Sequence, residues 1–160
     1  SCRSTSKRLS RATIPFLPAA NHARPSVSVF DLLALATWLF SMGGEWLADY
    51  QLTAWRRDPA HRGQTCRSGL WRYSRHPNYF FEWILWCGFG VLGLGGSWGW
   101  IGLAAPALML YTIVFVTGIP PTEAQAVSSR GEDYRAYQRT TNAFVPWPPR
   151  DDSGPRGEDG

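Results

Sequence analysis

The chain has 160 residues, of which 44% are hydrophobic and 14% aromatic, and its formal net charge is +4. This length suits one domain, and the cysteines, Cys2, Cys66 and Cys87, lack the paired spacing of a disulfide framework or a zinc site. The arginines flank apolar stretches, which favours a membrane-surface role and argues against a nucleic-acid binder.

Charge is segregated along the chain. Between Pro77 and Thr117 the only charged residue is Glu82. This stretch is long enough for two membrane crossings of roughly 20 residues each. We therefore predict an all-α, multi-span membrane protein with about three transmembrane helices and a cytosolic amphipathic helix near the C-terminus.

The N-terminal third begins with a polar, basic segment over residues 1–26, whose apolar patch IPFLPAA is too short for a signal-peptide core. We interpret this segment as a disordered or truncated leader. Residues 27–56 are predicted to form one long helix, apolar at first and amphipathic later, which makes a borderline membrane span. Residues 56–75 form a basic loop with glycine and proline breakers.

Pro77 is well placed as the first residue of the next helix, and the second span is predicted over residues 79–95. The uncharged turn GLGGSWGW leads to a third span over residues 100–117, with a kink expected at Pro106. Residues 122–140 are predicted to form a single polar amphipathic helix. The extended segment FVPWPP follows and is expected at the membrane interface.

The sequence is thus divided into the leader, a membrane domain over residues 27–149 and a disordered tail over residues 150–160. Loop charge orients the spans: the 56–75 loop holds six arginines, the segment after residue 118 holds five, and the turn between the second and third spans holds none. Both basic segments are therefore expected on the cytosolic side of the membrane. The sequence does not identify which membrane this is. The basic N-terminus would then lie on the far side, which argues either against the first span or for missing upstream helices.

The stretch GLWRYSRHPNYFFE places polar groups where the second span begins. Glu82 follows Asn78 by four residues and Tyr79 by three, so the three side chains are expected on one helix face. An ionisable group inside a membrane span is a functional hypothesis by default. The alternative is that Glu82 pairs with an arginine and closes the helix bundle.

Arg72 and Arg75 precede the same helix. Guanidinium groups bind phosphate bidentately, and a helix N-terminus adds a partial positive charge, so the pair forms a candidate anion site. Their positive charge could equally serve topology alone. His76 could donate a proton or contact a phosphate, although a histidine before proline is more often a loop or cap residue.

Glu123, Tyr134 and Tyr137 could close this site from the C-terminal side, or could lie on a solvated amphipathic helix. The sequence contains no glycine-rich phosphate loop of a Rossmann unit, no serine nucleophile elbow and no metal-ligand cluster. Any nucleotide cofactor must therefore be bound in another way.

Several stretches resemble the DUF1295 family of integral membrane proteins of the steroid 5-alpha-reductase type. They are GLWRYSRHPNYFFEW with two apolar spans after it, VTGIPPTEAQ, GEDYRAYQRTTNAFVPWPP, and the upstream GEWLADYQLTAWRRDPAHRGQTCRSG. The resemblance covers residues 43–149. RHPNYF with a following glutamate is shared more loosely with sterol C14-reductases and isoprenylcysteine carboxyl methyltransferases.

The resemblance implies a helical membrane enzyme that reduces a conjugated carbon–carbon double bond in a lipid or steroid-like substrate, using NADPH held in a cytosol-facing pocket. Asn78, Tyr79 and Glu82 would line the nicotinamide end, and the two arginines would lie near the phosphates. The adenosine side would be closed by Glu123 and Tyr137. The full set of implied cofactor-binding residues is Arg72, Arg75, His76, Asn78, Tyr79, Glu82, Glu123, Tyr134 and Tyr137.

Two departures from the family pattern affect this interpretation. Phe81 stands where many relatives have glycine, and it is expected to narrow that helix face. Relatives also carry more helices upstream, including groups that bind the substrate carbonyl, so the catalytic residues stay unknown and an incomplete enzyme is expected. An S-adenosylmethionine-dependent methyltransferase and a non-catalytic membrane scaffold stay open as alternatives.

Overall fold

The computed structural model describes residues 27–96 and 98–151, and every regular element within them is helical. The predicted all-α class is therefore confirmed for these residues. The predicted leader, residues 1–26, lies outside the described residues, as do residues 152–160 of the predicted tail.

Helix α1 spans Val29–Arg57, which confirms the single long helix predicted over residues 27–56. It begins with a capping box, in which the Ser28 hydroxyl accepts from the Asp31 N–H and the Asp31 carboxylate accepts from the Ser28 N–H. This reciprocal pair satisfies backbone donors that a helix start otherwise leaves free. The helix ends at Asp58, which caps the short 3₁₀ turn Pro59–His61.

Helix α2 spans Pro77–Gly93 and packs along α1. Pro77 is its first residue, as predicted. Glycine allows the two helices to approach, because a Cβ on Gly44 would overlap the ring of Phe81. The buried ring of Phe81 points towards α1 and meets Phe40 edge to face, and it does not line the cavity described below. The narrowing of the helix face expected from Phe81 stays a prediction.

The third helical stretch changes its hydrogen-bonding pattern along its length. It begins as the 3₁₀ helix Gly99–Leu103, continues as helix α3 over Ala104–Tyr111 and then as the π-helix Thr112–Val116. Pro106 lies in the first turn of α3, where its missing N–H removes no α-helical bond. The helix type changes on either side of α3, and the kink expected at Pro106 stays a prediction.

The C-terminal part forms two helices, so the prediction of one helix over residues 122–140 was wrong. Helix α4 spans Ile119–Arg130 and helix α5 spans Glu132–Thr140. Gly131 separates them with φ of 56°, a conformation that residues other than glycine rarely adopt. The bend turns α5 back onto the loop between α1 and α2.

The stretch from Gly99 to Arg130 is long and apolar enough to cross a membrane, and within the described residues it is the one helix that meets both conditions. The third predicted span, residues 100–117, lies inside it.

Candidate functional site

A cavity of about 400 Å³ lies where the second half of α1, the first turn of α2, the α1–α2 loop, α4 and α5 meet. This volume falls within the range of small-molecule sites, roughly 300–1,000 Å³. Polar and charged side chains from all five segments line the cavity.

Three arginines and one acid make the charge of this cavity positive. Arg56 comes from the last turn of α1, Arg75 from the residue pair before α2, and Arg130 from the last turn of α4. The acid is Asp49 of α1. Such an arrangement favours an anionic ligand, because guanidinium groups offer several donors that match phosphate geometry.

Asn78 and Tyr79 form the α2 side of the cavity. The Asn78 Oδ1 atom is buried and has no hydrogen-bond partner among the described residues. The Tyr79 hydroxyl lies 3.2 Å from the Thr122 hydroxyl of α4, and its ring stacks on His76. A buried acceptor without a donor is costly, so Asn78 offers a place for a ligand that donates a hydrogen bond.

Glu123 braces the wall behind the cavity. Its Oε1 accepts from Arg75 Nε at 2.7 Å and lies 3.2 Å from His76 Nε2, while its Oε2 accepts from Gln138 Nε2 at 2.7 Å. Arg75 Nη1 also donates to the backbone carbonyls of Gln138 and Thr141. One carboxylate therefore joins the segment before α2 to both α4 and α5.

The two tyrosines of α5 are buried at 3% and 1% exposure, so they lie on the inner face of this amphipathic helix and not on its solvated face. The Tyr137 hydroxyl donates to the Trp71 carbonyl and lies 3.1 Å from that of Ser74. Burial, with the charge of Glu123, raises the pKa of Tyr134 to about 12, and burial raises the pKa of Tyr137 above its usual range. Both phenols therefore stay neutral at physiological pH.

A second contact holds the basic loop on α5. The Thr65 N–H donates to Asp133 Oδ2 at 2.7 Å, and Arg67 Nη2 donates to Asp133 Oδ1 at 2.8 Å. Partial burial acts to raise the pKa of Asp133, but the hydrogen bonds from Thr65 and the charges of Arg67 and Arg130 outweigh it and lower that pKa. The loop wall of the cavity is thus fixed by an ionised carboxylate.

A model of the family described as protein of unknown function (DUF1295) matches residues 10–141. The chain belongs to the DUF1295 family. No curated protein and no solved structure matches it. All residues that line the cavity lie between positions 49 and 137, so the whole cavity falls within the DUF1295 match.

The structure of this DUF1295 member brings most of the predicted site residues together. Four of them line the cavity directly on the α2 side and two on the α5 side, and one stands behind it. Those lining it are Arg75, His76, Asn78, Tyr79, Tyr134 and Tyr137, and the one behind it is Glu123.

Glu82 and Arg72 were predicted members that do not line the cavity. The cavity reaches only the first turn of α2, and Glu82 lies one turn further on, near the charge of Glu45 on α1. Glu82 also makes no ion pair with an arginine among the described residues, so the alternative for it finds no support within them. Arg72 is exposed on the loop.

Arg56 and Arg130 are the cavity residues that the sequence argument missed. They are 74 positions apart, and no local pattern relates them. The available signal was that each arginine lies in the last turn of a helix. Only the tertiary arrangement of α1 and α4 places both arginines in the lining of one cavity.

Proposed function

We propose that the chain is an NADPH-dependent membrane reductase acting on a conjugated carbon–carbon double bond of a lipid or steroid-like substrate. The observation that carries this proposal is the cavity in which Arg56, Arg75 and Arg130 stand against a single acid, Asp49. NADPH carries three phosphate groups, and arginine is the side chain best suited to bind them.

Two of the three arginines are available for a ligand. Arg56 and Arg130 make no hydrogen bond or ion pair with another described residue, whereas Arg75 is held by Glu123 and two backbone carbonyls. Arg56 is exposed and Arg130 is partly buried, so the donors of both guanidinium groups are open to solvent or to an anionic ligand. The phosphates of the cofactor supply that anion.

The α2 side of the cavity suits the other end of the cofactor. The buried Asn78 Oδ1 can accept a hydrogen bond from a carboxamide or a sugar hydroxyl. The Tyr79–Thr122 contact holds this wall in place. When bound, NADPH supplies a hydride, and the protein supplies position and electrostatics.

The outward faces of the helices support the proposed membrane placement. We propose that the bilayer is crossed by α1, α2 and residues 99–117. The 17 residues of α2 give a helix of about 25 Å, which is only just long enough for a crossing. Many large apolar side chains on α1 and on residues 99–117 are exposed, including Leu39, Phe40, Leu108 and Phe115. The basic loop and the cavity would lie on the cytosolic side, and GLGGSWGW on the other.

The charge of the cavity also ranks the alternatives. S-adenosylmethionine carries a sulfonium cation and no phosphate, so three arginines discriminate against it. A non-catalytic scaffold gives no reason for a buried, unpaired Asn78 acceptor beside two unengaged arginines. Reduction therefore stays the preferred function.

A ligand titration tests this proposal. The purified chain in nanodiscs is titrated calorimetrically with NADPH, NADH and S-adenosylmethionine, and loss of NADPH absorbance is followed with lipid-soluble enones. NADPH is expected to bind most tightly, because it has one more phosphate than NADH. Binding of S-adenosylmethionine alone would replace the reductase by a methyltransferase, and binding of none of the three would favour the scaffold.

A further inference from the structure

The segment after α5 is fixed against the loop that precedes α2. We call residues 142–150 the strap. The Arg75 N–H donates to the Asn142 carbonyl at 2.9 Å, and the Trp147 N–H donates to the Tyr73 carbonyl at 2.9 Å. The strap is therefore a defined surface beside the start of α2.

One residue of the strap packs inward on α2. The Phe144 ring lies 5.8 Å from the ring centroids of both Phe80 and Trp83, in edge-to-face geometry. Phe80 and Trp83 belong to the first two turns of α2. The strap thus lies at the level where the proposed α2 span enters the bilayer.

Other residues of this region present large apolar side chains outward. Trp147 is 62% exposed, Val145 52% and the neighbouring Tyr73 42%. Tryptophan and tyrosine are enriched at membrane–water boundaries because their rings combine an apolar body with a polar edge. Their exposure at this level therefore points to a lipid interface.

Two cations flank the exposed rings. Arg72 precedes Tyr73 directly, and Arg150 follows Trp147 by three residues; both are exposed. Neither makes an ion pair or a hydrogen bond through its side chain with another described residue. The Arg150 N–H donates to the Thr140 carbonyl at 2.8 Å, which holds this end of the strap in place.

We infer that Tyr73, Trp147, Arg72 and Arg150 form a binding surface for anionic phospholipid headgroups in the leaflet next to the basic loop. The two rings lie among the headgroups, and the two guanidinium groups bind the lipid phosphates. This surface is separate from the cavity, in which neither arginine takes part. The inference rests on the proposed membrane placement of α2.

Headgroup selectivity tests the two arginines. The full chain is reconstituted in nanodiscs, and its association with spin-labelled phosphatidylglycerol is compared with that of spin-labelled phosphatidylcholine. R72Q/R150Q is expected to lower the preference for phosphatidylglycerol about fivefold or more. The control R57Q/R62Q removes the same charge from exposed loop positions. An equal loss in both variants would overturn the inference, since the basic loop as a whole would then attract the lipid.

Fluorescence quenching tests the aromatic part. The emission of Trp147 is obtained as the difference between the parent chain and Trp147→Phe. Phosphatidylcholine brominated near the headgroup end of its chains should quench this emission more than lipid brominated near the chain ends. The matched control Trp38→Phe, in the apolar part of α1, should show the reverse order. The inference would be overturned if neither lipid quenched the Trp147 emission. A change of oligomeric mass in Trp147→Phe would also overturn it, because the surface would then bind a second copy of the chain.

The two levels of failure can be distinguished. If the Trp38 emission is not quenched by any brominated lipid, the membrane placement itself fails, and this inference fails with it. If Trp38 is quenched and Trp147 is not, the membrane placement stands and only the headgroup surface is rejected.

Discussion

Replacing Glu123 by glutamine removes the charge that joins Arg75, His76 and Gln138 around one carboxylate. The side chains of Glu123 and Arg75 are only 14% and 11% exposed, so solvent can replace little of the lost interaction. Removing one partner of a buried pair costs about 3–5 kcal/mol. Glutamine keeps the shape and one acceptor, so we expect E123Q to lower the free energy of unfolding by about 2–4 kcal/mol.

The matched control for this prediction is E132Q in α5. Glu132 is 68% exposed and contacts Arg139 at 2.8 Å at the surface, so its replacement should cost at most about 1 kcal/mol. Both variants are compared with the parent chain by equilibrium unfolding in the same detergent. A loss in E123Q no larger than that in E132Q would refute the reasoning, because it would mean that the Glu123 cluster does not join the segment before α2 to α4 and α5.

Three further predictions concern the contacts between the helices and the loop. Gly44→Ala should separate α1 from α2 and lower stability by about 1–3 kcal/mol, because the added methyl overlaps the Phe81 ring. The control Gly43→Ala has no atom within 4 Å of its Cβ and should be neutral or stabilising. Thermal unfolding compares the two variants. Asp133 has a lowered pKa, so its contribution to stability is present above the ordinary aspartate pKa and is lost as the pH falls through the lowered value. D133N should therefore flatten the acid side of the stability–pH profile, and an unchanged profile would contradict this. Tyr137→Phe leaves the buried carbonyl acceptors of Trp71 and Ser74 without their donor. It should lower the free energy of unfolding, measured by denaturant titration, by about 1–3 kcal/mol. An unchanged free energy of unfolding would contradict this.

Helix positions could be predicted because they depend on local properties. The apolar composition of residues 79–95 and 100–117 and the proline at position 77 are enough to place helices there, and the structure has helices at both. Gly131 was also visible in the sequence, but its effect depends on a positive φ that no composition pattern specifies. The break between α4 and α5 was therefore missed.

The candidate site was predictable only in part, because its walls come from distant segments. The run RHPNY supplied Arg75, Asn78 and Tyr79, which line the cavity because they adjoin one helix start. Helical periodicity also placed Glu82 on their face, but it does not say how deep a cavity extends along a helix. That depth, and the presence of Arg56 and Arg130 in one cavity, depend on the tertiary arrangement of α1, α2 and α4.

The central claim is that the arginines of the cavity bind the phosphates of NADPH. The most direct measurement is the calorimetric affinity for NADPH of R56Q/R130Q, compared with R57Q/R62Q, which removes the same charge from exposed positions outside the cavity. The first variant should lose about tenfold or more in affinity, and the second should stay close to the parent chain. Equal affinities in the two variants would contradict the claim.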